Sequence, residues 1–226
     1  MPKIPASIHK MRESANTVAH WTCGEGAGTT VQDSSGNSRT GTLEASATWA
    51  TTGRLRQALS MPGGVNDLVR VTHAASLSPT NITVAVWAYV TANTSYPMFV
   101  SKYSASAEYE LRLNSTTLRL DFLCVDGTNF VQAIDPDAIS LNTWYFLVGT
   151  YDGANVRAYR DGVLKATAAM PLAMAHNTTD VCLGNRPGGG QPLTGLMDDI
   201  LVENVAWSAA KVLEEFELLP SVTCYA

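Results

Sequence analysis

The sequence is short of charge and of cysteine, and each shortage excludes a class of protein. Charged residues make up 15% of its 226 residues, and the net charge is −5, without a cluster of lysine and arginine. Because binding to phosphate needs a basic face, we expect no nucleic-acid partner. The cysteines are too few and too far apart for a disulfide scaffold or a CxxC zinc site: Cys23, Cys124, Cys182 and Cys224. We expect buried free thiols, with Cys224 near the C-terminus the one to test for intermolecular pairing.

Long apolar runs are also missing. No segment approaches the ~18 consecutive apolar residues of a membrane span. The first 17 residues, MPKIPASIHKMRESANT, have no apolar core of the kind that marks a secretory signal peptide. We therefore expect no membrane insertion and no signal peptide. The expected location is a virion or the extracellular space after lysis, and otherwise the cytoplasm.

Short runs of β-forming residues are abundant, and the stretch at residues 142–163 organises the others. Two such runs, at 144–151 and 155–160, are joined by Asp152-Gly153, and Asp161-Gly162 closes the second. Asp-Gly between two β-rich runs is a strong hairpin signal, because glycine reaches positive φ without steric cost. The first run is apolar at both alternating sets of positions, which predicts a strand covered on both faces in the middle of a sheet. On this pattern Trp144, Phe146 and Val148 belong to the core.

The same reasoning divides most of the chain into strands followed by one helix. Residues 82–90 are also apolar at both sets of positions, so they too belong mid-sheet. The other predicted strands cover residues 18–21, 55–61, 68–71, 96–103, 109–114, 117–125, 163–170, 180–184 and 195–203. A helix is predicted at 208–219, with Ser208 as N-cap and an apolar stripe of Val212, Leu213, Phe216 and Leu219.

This pattern predicts an all-β protein, a two-sheet antiparallel sandwich with one short C-terminal helix. The hydrophobic content of 46% supplies ample core, and no break in composition indicates a second domain. We expect an N-terminal arm at residues 1–17, a single domain at 18–219 and a C-terminal tail at 220–226. The arm is either a frayed terminus or a segment that docks on a partner subunit.

Short motifs follow one another along the chain in an order that resembles one known family. They are His20-Trp21, Glu25-Gly26, Asp33-Ser34-Ser35-Gly36-Asn37, Pro62-Gly63-Gly64, Thr143-Trp144-Tyr145, Tyr159-Arg160-Asp161-Gly162, Gly195-Leu196-Met197-Asp198-Asp199-Ile200 and Trp207-Ser208-Ala209-Ala210. Together they resemble laminin-G-like, concanavalin A-like lectin/glucanase jelly-roll domains over roughly residues 18–219. The resemblance implies two apposed, curved antiparallel sheets, the concave one often offering a ligand surface.

The resemblance also implies one structural calcium ion, held where the first and last strands meet. The matching positions are Glu25, Asp33, Asp198 and Asp199, since calcium needs six to eight oxygen ligands. Gly24 stands where relatives often have an aspartate, so one carboxylate of the family's pattern is missing. The alternative is that Asp33 caps an Asx turn and that Asp198 or Asp199 accepts backbone N–H bonds.

Glycan binding is the commonest activity that the resemblance implies. Sugars need aromatic platforms for their apolar faces and forked polar groups for their hydroxyls. The candidate ligand-binding residues on predicted concave strands are Arg157, Tyr159, Arg112, Arg119 and Asp121, whereas Trp87 and Tyr89 are more typical of a core. Tyr159 with Arg157 is the preferred pair, and the loops at 91–96 and 185–191 are the alternative, forming a site at the rim.

Catalytic motifs are missing from this sequence. Enzymes with this sandwich use paired carboxylates spaced as Glu-x-Asp-x-x-Glu, and the nearest run, residues 198–203, has a different spacing. Gly-x-Ser-x-Gly, His-Glu-x-x-His and a phosphate loop are absent too.

We therefore expect a non-enzymatic, lectin-like module for adhesion to a glycan or cell surface, carried on a larger particle such as a phage virion. The alternative is a structural or decoration protein of a virion or other assembly. The partners would then be a capsid or tail protein, or further copies of the chain.

Overall fold

A computed structural model of the protein describes residues 11–54, 56–94, 96–104, 108–114 and 117–218. In chain order its strands are β1 (Thr17–Trp21), β2 (Thr30–Val31), β3 (Gly41–Glu44), β4 (Thr48–Ala50), β5 (Ala58–Pro62), β6 (Leu68–Val71), β7 (Ile82–Val90), β8 (Met98–Ser101), β9 (Glu108–Leu113), β10 (Arg119–Val125), β11 (Phe130–Ala138), β12 (Trp144–Tyr151), β13 (Asn155–Arg160), β14 (Val163–Ala169), β15 (Val181–Leu183) and β16 (Thr194–Glu203). A short 3-10 helix, Ala75–Leu77, precedes β7, and the α-helix α1 is Ala209–Leu218.

The strands form two antiparallel sheets. Sheet A has the order β14-β13-β12-β7-β16-β5-β4, with β1 also paired to β16. Sheet B has the order β11-β10-β9-β8-β15-β6-β3-β2. The two sheets pack face to face over one large apolar core, so the predicted all-β sandwich is confirmed. No helix within the described residues is long and apolar enough to cross a membrane.

The predicted central hairpin lies in the middle of sheet A. Strand β12 pairs with β13 on one side and with β7 on the other. Its inward side chains Leu147 and Tyr151 join the core between the sheets, whereas Phe146 and Val148 are buried on the opposite face. Trp144, expected in the core, is half-buried at the start of the strand, with its ring centroid 5.5 Å from that of Tyr89.

A second layer covers the outer face of sheet A. Met11 from the N-terminal segment and Val212 from α1 are fully buried there, together with Trp87 and Phe146 of the sheet. The ring of Phe216 stacks 6.0 Å from Trp87, which extends the apolar contact between helix and sheet. This layer explains why strands β7 and β12 are apolar on both faces.

A buried carboxylate joins the N-terminal segment to the helix. Glu215 is 1% exposed and accepts hydrogen bonds from the backbone N–H of Arg12 at 3.1 Å and from its Nε at 3.2 Å. Part of the segment predicted as an N-terminal arm is therefore packed on the domain through Met11, Arg12 and Ser14. Residues 1–10 and the tail at 220–226 lie outside the described residues, as does Cys224. The other cysteines, Cys23, Cys124 and Cys182, are buried free thiols, as expected.

Four strands were not predicted from the sequence, and each is short, polar or interrupted. Strands β2, β3 and β4 are two to four residues long, too short for a periodic signal. Strand β11 contains Pro136, which ordinarily argues against a strand, but β11 is the edge of sheet B, where proline is tolerated.

The helix matches its prediction closely. The side-chain oxygen of Ser208 accepts a hydrogen bond from the backbone N–H of Lys211 at 3.2 Å, so it is the N-cap. The predicted apolar stripe is partly wrong, because Leu213 is 41% exposed and lies beside the turn at Gly162. Leu219 lies outside the described residues.

The contact between the two sheets allows a direct test at Gly149. A Cβ at this position of β12 would lie 2.2 Å from ring atoms of Phe122 on β10, in the middle of the core. We expect Gly149→Ala to lower the free energy of unfolding by about 1–3 kcal/mol, through overpacking. Gly188→Ala is the control, since a Cβ there meets nothing within 4 Å, and it should change stability by less than about 0.5 kcal/mol. Equal stabilities in urea unfolding would contradict the described packing of the sheets.

Candidate functional site

The outer face of sheet B carries an open cleft of about 280 Å³. This volume is close to the lower end of the range for ligand pockets, ~300–1,000 Å³. Residues from strands and loops line it together: Tyr96, Arg112, Leu123, Phe130, Gln132, Arg186 and Gln191. We refer to this set of residues as the cleft.

Alternation along the strands of sheet B places polar groups at the cleft. On β9, Tyr109 and Leu111 point into the core, so Glu110 and Arg112 point outward. The register pairs Arg112 directly with Asp121 of β10, which brings their side chains together on the outer face. The cleft floor is therefore a set of charged side chains positioned by regular strands.

Two buried carboxylates hold the two arginines of the cleft in place. Glu110 accepts hydrogen bonds from Nε of Arg186 at 2.5 Å, from its Nη2 at 2.8 Å, and from Nη1 of Arg112 at 2.7 Å. Ser101 donates a fourth bond to Glu110 at 3.0 Å. Asp121 accepts one bond from Nε of Arg112 at 2.8 Å. Such charge-assisted, forked bonds fix guanidinium groups more firmly than neutral hydrogen bonds do.

Burial and charge shift the pKa values in this network. Burial raises the pKa of Asp121 above its ordinary value, although the charge of Arg112 and the bond from Gln132 oppose the change. For Arg186, burial lowers the pKa, but the hydrogen bonds to Glu110 outweigh it and hold the pKa above its ordinary value. Arg186 therefore stays charged at any physiological pH. Removing one partner of such a buried pair costs about 3–5 kcal/mol, because it leaves an uncompensated charge.

Aromatic rings surround the two guanidinium groups. Arg112 lies over the ring of Tyr96 at 5.0 Å, and Arg186 lies over the ring of Tyr103 at 4.4 Å. Phe130 is 52% exposed, and its ring centroid is 6.1 Å from that of Tyr103. The exposed ring of Phe130 forms one wall of the cleft.

Hydrogen-bond acceptors without a partner lie in and beneath the cleft. Within the described residues, Oε1 of Gln191 and Oδ1 of Asp121 are both buried and accept no hydrogen bond. Buried polar atoms are paired in the great majority of cases, so each exception needs an explanation. An O–H or N–H donor on a ligand would complete the bonding of Gln191.

Two of the five predicted ligand-binding residues belong to this site. Arg112 lines the cleft and Asp121 anchors it from below. Arg119 is exposed at the start of β10, paired in register with Ala138, and is not part of the lining.

The preferred pair, Arg157 and Tyr159, lies outside the cleft, on sheet A, and its part in ligand binding stays a prediction. Tyr159 is 2% exposed and packs beneath the helix layer of sheet A, while Arg157 forms an ion pair with Asp152 at 2.5 Å on that same sheet. Both side chains point away from the core, as expected, but that face of sheet A is covered. Trp87 is buried there too, in agreement with its interpretation as core.

Sequence reasoning missed the cleft residues on β11, Phe130 and Gln132, because the strand itself was not predicted. It also missed Glu110, whose immediate neighbours in sequence, Tyr109 and Leu111, are apolar. The predicted rim loops at 91–96 and 185–191 supply Tyr96, Arg186 and Gln191. The charged residues at alternate positions of β9 were the available signal, since an outward face with both signs of charge needs internal pairing.

The carboxylates predicted to bind calcium are partly committed to other bonds. Asp33 accepts backbone N–H bonds from His20 at 3.0 Å, Ser35 at 2.9 Å and Arg39 at 2.8 Å, which is the alternative Asx-turn role. Asp199 accepts the backbone N–H of Met11 at 2.6 Å and a bond from the His20 ring at 2.7 Å. Asp33 thus stabilises a turn, and Asp199 binds the N-terminal segment.

Glu25 and Asp198 retain more bonding capacity. Oε2 of Glu25 is buried and accepts no hydrogen bond within the described residues, while its Oε1 accepts the backbone N–H of Gln32 at 2.6 Å. Burial, followed by the charge of Asp199, raises the pKa of Asp198 to about 7. No group of three or more His, Cys, Asp or Glu residues in the described part of the chain is arranged to hold a metal ion. Calcium therefore stays a prediction of the family resemblance.

Comparison with known proteins identifies the family. The sequence profile described as the concanavalin A-like lectin/glucanases superfamily matches residues 62–213, well over half of the chain. The chain belongs to this superfamily. A search of curated proteins gives no match.

Solved structures with a similar β-sandwich fold agree with this assignment. Domain 4 of AbnA, an extracellular arabinanase from Geobacillus stearothermophilus, in complex with arabinotriose, is 18% identical with a TM-score of 0.71, covering 90% of this chain and 99% of that domain. The binding domain of Paraclostridial Mosquitocidal Protein 1 is 16% identical with a TM-score of 0.72, covering 89% of this chain and 52% of that one. The binding domain of botulinum neurotoxin DC in complex with SialylT is 11% identical with a TM-score of 0.70, covering 91% and 52%. This chain thus spans about half the length of the toxin domains, and the likeness shows the fold.

The calcium prediction is tested by thermal unfolding with and without a chelator. If an ion is held by Glu25 and Asp198, EDTA should lower the melting temperature. Calcium at about 100 times its Kd should then restore about 2.7 kcal/mol of stability. Glu25→Gln should remove this dependence, and Glu217→Gln, at an exposed position of α1, should not. A melting temperature that EDTA leaves unmoved would rule out a tightly held ion.

Proposed function

We propose that this chain is a non-catalytic, lectin-like binding module that holds a glycan in the cleft of sheet B. The observation that carries the proposal is the exposed ring of Phe130 beside two guanidinium groups already fixed by Glu110 and Asp121. A sugar has an apolar ring face and a rim of hydroxyl groups, and the cleft offers a complement to each.

The fixed geometry of the cleft supports binding with little ordering cost. Arg112 and Arg186 are already held by two hydrogen bonds each before any ligand arrives. Immobilising a long side chain on binding costs about 0.5–1.5 kcal/mol, and a prearranged side chain avoids most of this. Mobile surface arginines would not give the same advantage.

The state of the carboxylates favours binding over catalysis. Glycoside hydrolysis needs one carboxyl group to donate a proton and another to act as base or nucleophile at the scissile bond. Glu110 and Asp121 are fully buried, and each is bonded to a guanidinium group, so neither is presented to a substrate. Their role in the cleft is to hold the arginines.

The comparisons support a binding role of this kind. One similar structure is an arabinanase domain in complex with arabinotriose, and others are binding domains of toxins. These are properties of those proteins, and they make a saccharide the first ligand to test for this chain.

The arrangement of the layers suits a module that is displayed on a larger particle such as a phage virion. Met11 and the helix α1 lie on the outer face of sheet A, and the cleft lies on the outer face of sheet B. Attachment on the first face would leave the second free to meet a cell surface. A decoration protein that binds capsid or tail proteins is the alternative, and a ligand screen separates the two.

A glycan array on the whole chain, followed by titration of the strongest ligand, tests the proposal. Phe130→Ala should weaken binding about tenfold, since removing a well-packed aromatic contact costs about 1–2 kcal/mol. Val163→Ala is the matched control: this apolar side chain is 58% exposed on β14 of the other sheet, and its loss should leave the affinity unchanged.

A blank array would contradict glycan binding. If the chain then bound assembled particles through the face of sheet A, the decoration role would replace it. Equal losses in Phe130→Ala and Val163→Ala would show that a ligand binds elsewhere than the cleft.

A further inference from the structure

The charges that surround the cleft cancel one another. Arg112 and Arg186 supply two positive charges, while Glu110 and Asp121 supply two negative charges. All four groups are joined by contacts of 2.5–2.8 Å. A ligand therefore meets local dipoles and hydrogen-bonding groups here, without a net positive field.

The positive charge of each arginine is also already paired with a buried carboxylate. Arginine recognises a carboxylate or phosphate through two parallel N–H groups that form a fork. Arg186 uses Nε and Nη2 on Glu110, and Arg112 uses Nε on Asp121 and Nη1 on Glu110. The remaining N–H groups can still donate to a ligand, but Glu110 and Asp121 already balance the charge of both guanidinium groups, so an acid group gains less from them than it would from an unpaired arginine.

The unpartnered acceptors point the same way. Gln191 lines the cleft, and its Oε1, which is buried, accepts no hydrogen bond within the described residues. It needs an O–H or N–H donor, and an ionised acid group has neither. Sugar hydroxyls can donate to Gln191 and accept from an arginine at the same time.

From these observations we propose that the cleft selects neutral oligosaccharides over glycans that carry an acid group, such as sialylated, uronic-acid or sulfated forms. This inference rests on the proposed function, and it names the class of glycan. Bringing an anion into the cleft would place it beside Asp121 and Glu110, without an unpaired guanidinium charge to compensate.

The test uses matched pairs on a glycan array, the same oligosaccharides with and without a terminal sialic acid. We expect neutral members to bind at least about tenfold more tightly than their sialylated partners. The Kd of the best neutral ligand should change by less than about twofold between low and high salt, because salt screens charge attraction and not hydroxyl contacts. A preference for the acidic members, weakened by salt, would overturn the inference while leaving the proposed function intact. An array blank for both members would overturn both.

Two substitutions change the balance of charge in the cleft directly. Glu110→Gln removes the carboxylate shared by the two arginines, so the cleft gains a net positive charge, and binding of sialylated members should rise relative to neutral ones. Circular dichroism checks that each variant folds. If Glu110→Gln does not fold, Asp121→Asn serves in its place: it removes one negative charge beside Arg112 alone, and the relative binding of sialylated members should again rise. Glu217→Gln changes the net charge of the chain equally at an exposed position of α1 and should not alter the preference. An unchanged preference in a folded Asp121→Asn variant would contradict the inference.

Discussion

The structure depends on one constraint, which is that the central strands of sheet A are apolar on both faces and must be covered twice. One face meets sheet B across the main core, and the other meets α1 and the N-terminal segment. Met11, Val212 and Phe216 therefore cover the face of the sheet that the sandwich core does not reach. Glu215, buried and bonded to Arg12, holds the two terminal segments together over that face.

This double coverage also bears on where the proposed ligand would bind. Because the outer face of sheet A is occupied, the outer face of sheet B is the one that stays open for a cleft. Its strands carry charges of both signs at outward positions, and they satisfy one another through Glu110 and Asp121. One outer face is thus buried by apolar side chains, and the other carries the fixed polar groups to which we attribute the proposed binding.

The sequence predicts the fold well where a strand is long and apolar on both faces, as at 82–90 and 144–151. It predicts poorly where a strand is an edge with proline inside, as at Phe130–Ala138, because periodicity is lost. For the site, the sequence pattern predicts Arg112, Asp121 and the two rim loops. Tyr159 was expected on an open surface but is buried, because an outward position on a strand does not show which layer covers that face. Glu110 went unrecognised because its function is to bind other side chains across strands.

The central claim is that the open face of sheet B, and not the covered face of sheet A, binds the ligand. An NMR titration of the whole chain with a neutral oligosaccharide would locate the contact directly. The account predicts chemical-shift changes concentrated at Tyr96, Arg112, Phe130, Gln132 and Arg186, with little change in α1. Changes concentrated in α1 and at Arg157 and Tyr159, with an unperturbed cleft, would contradict it.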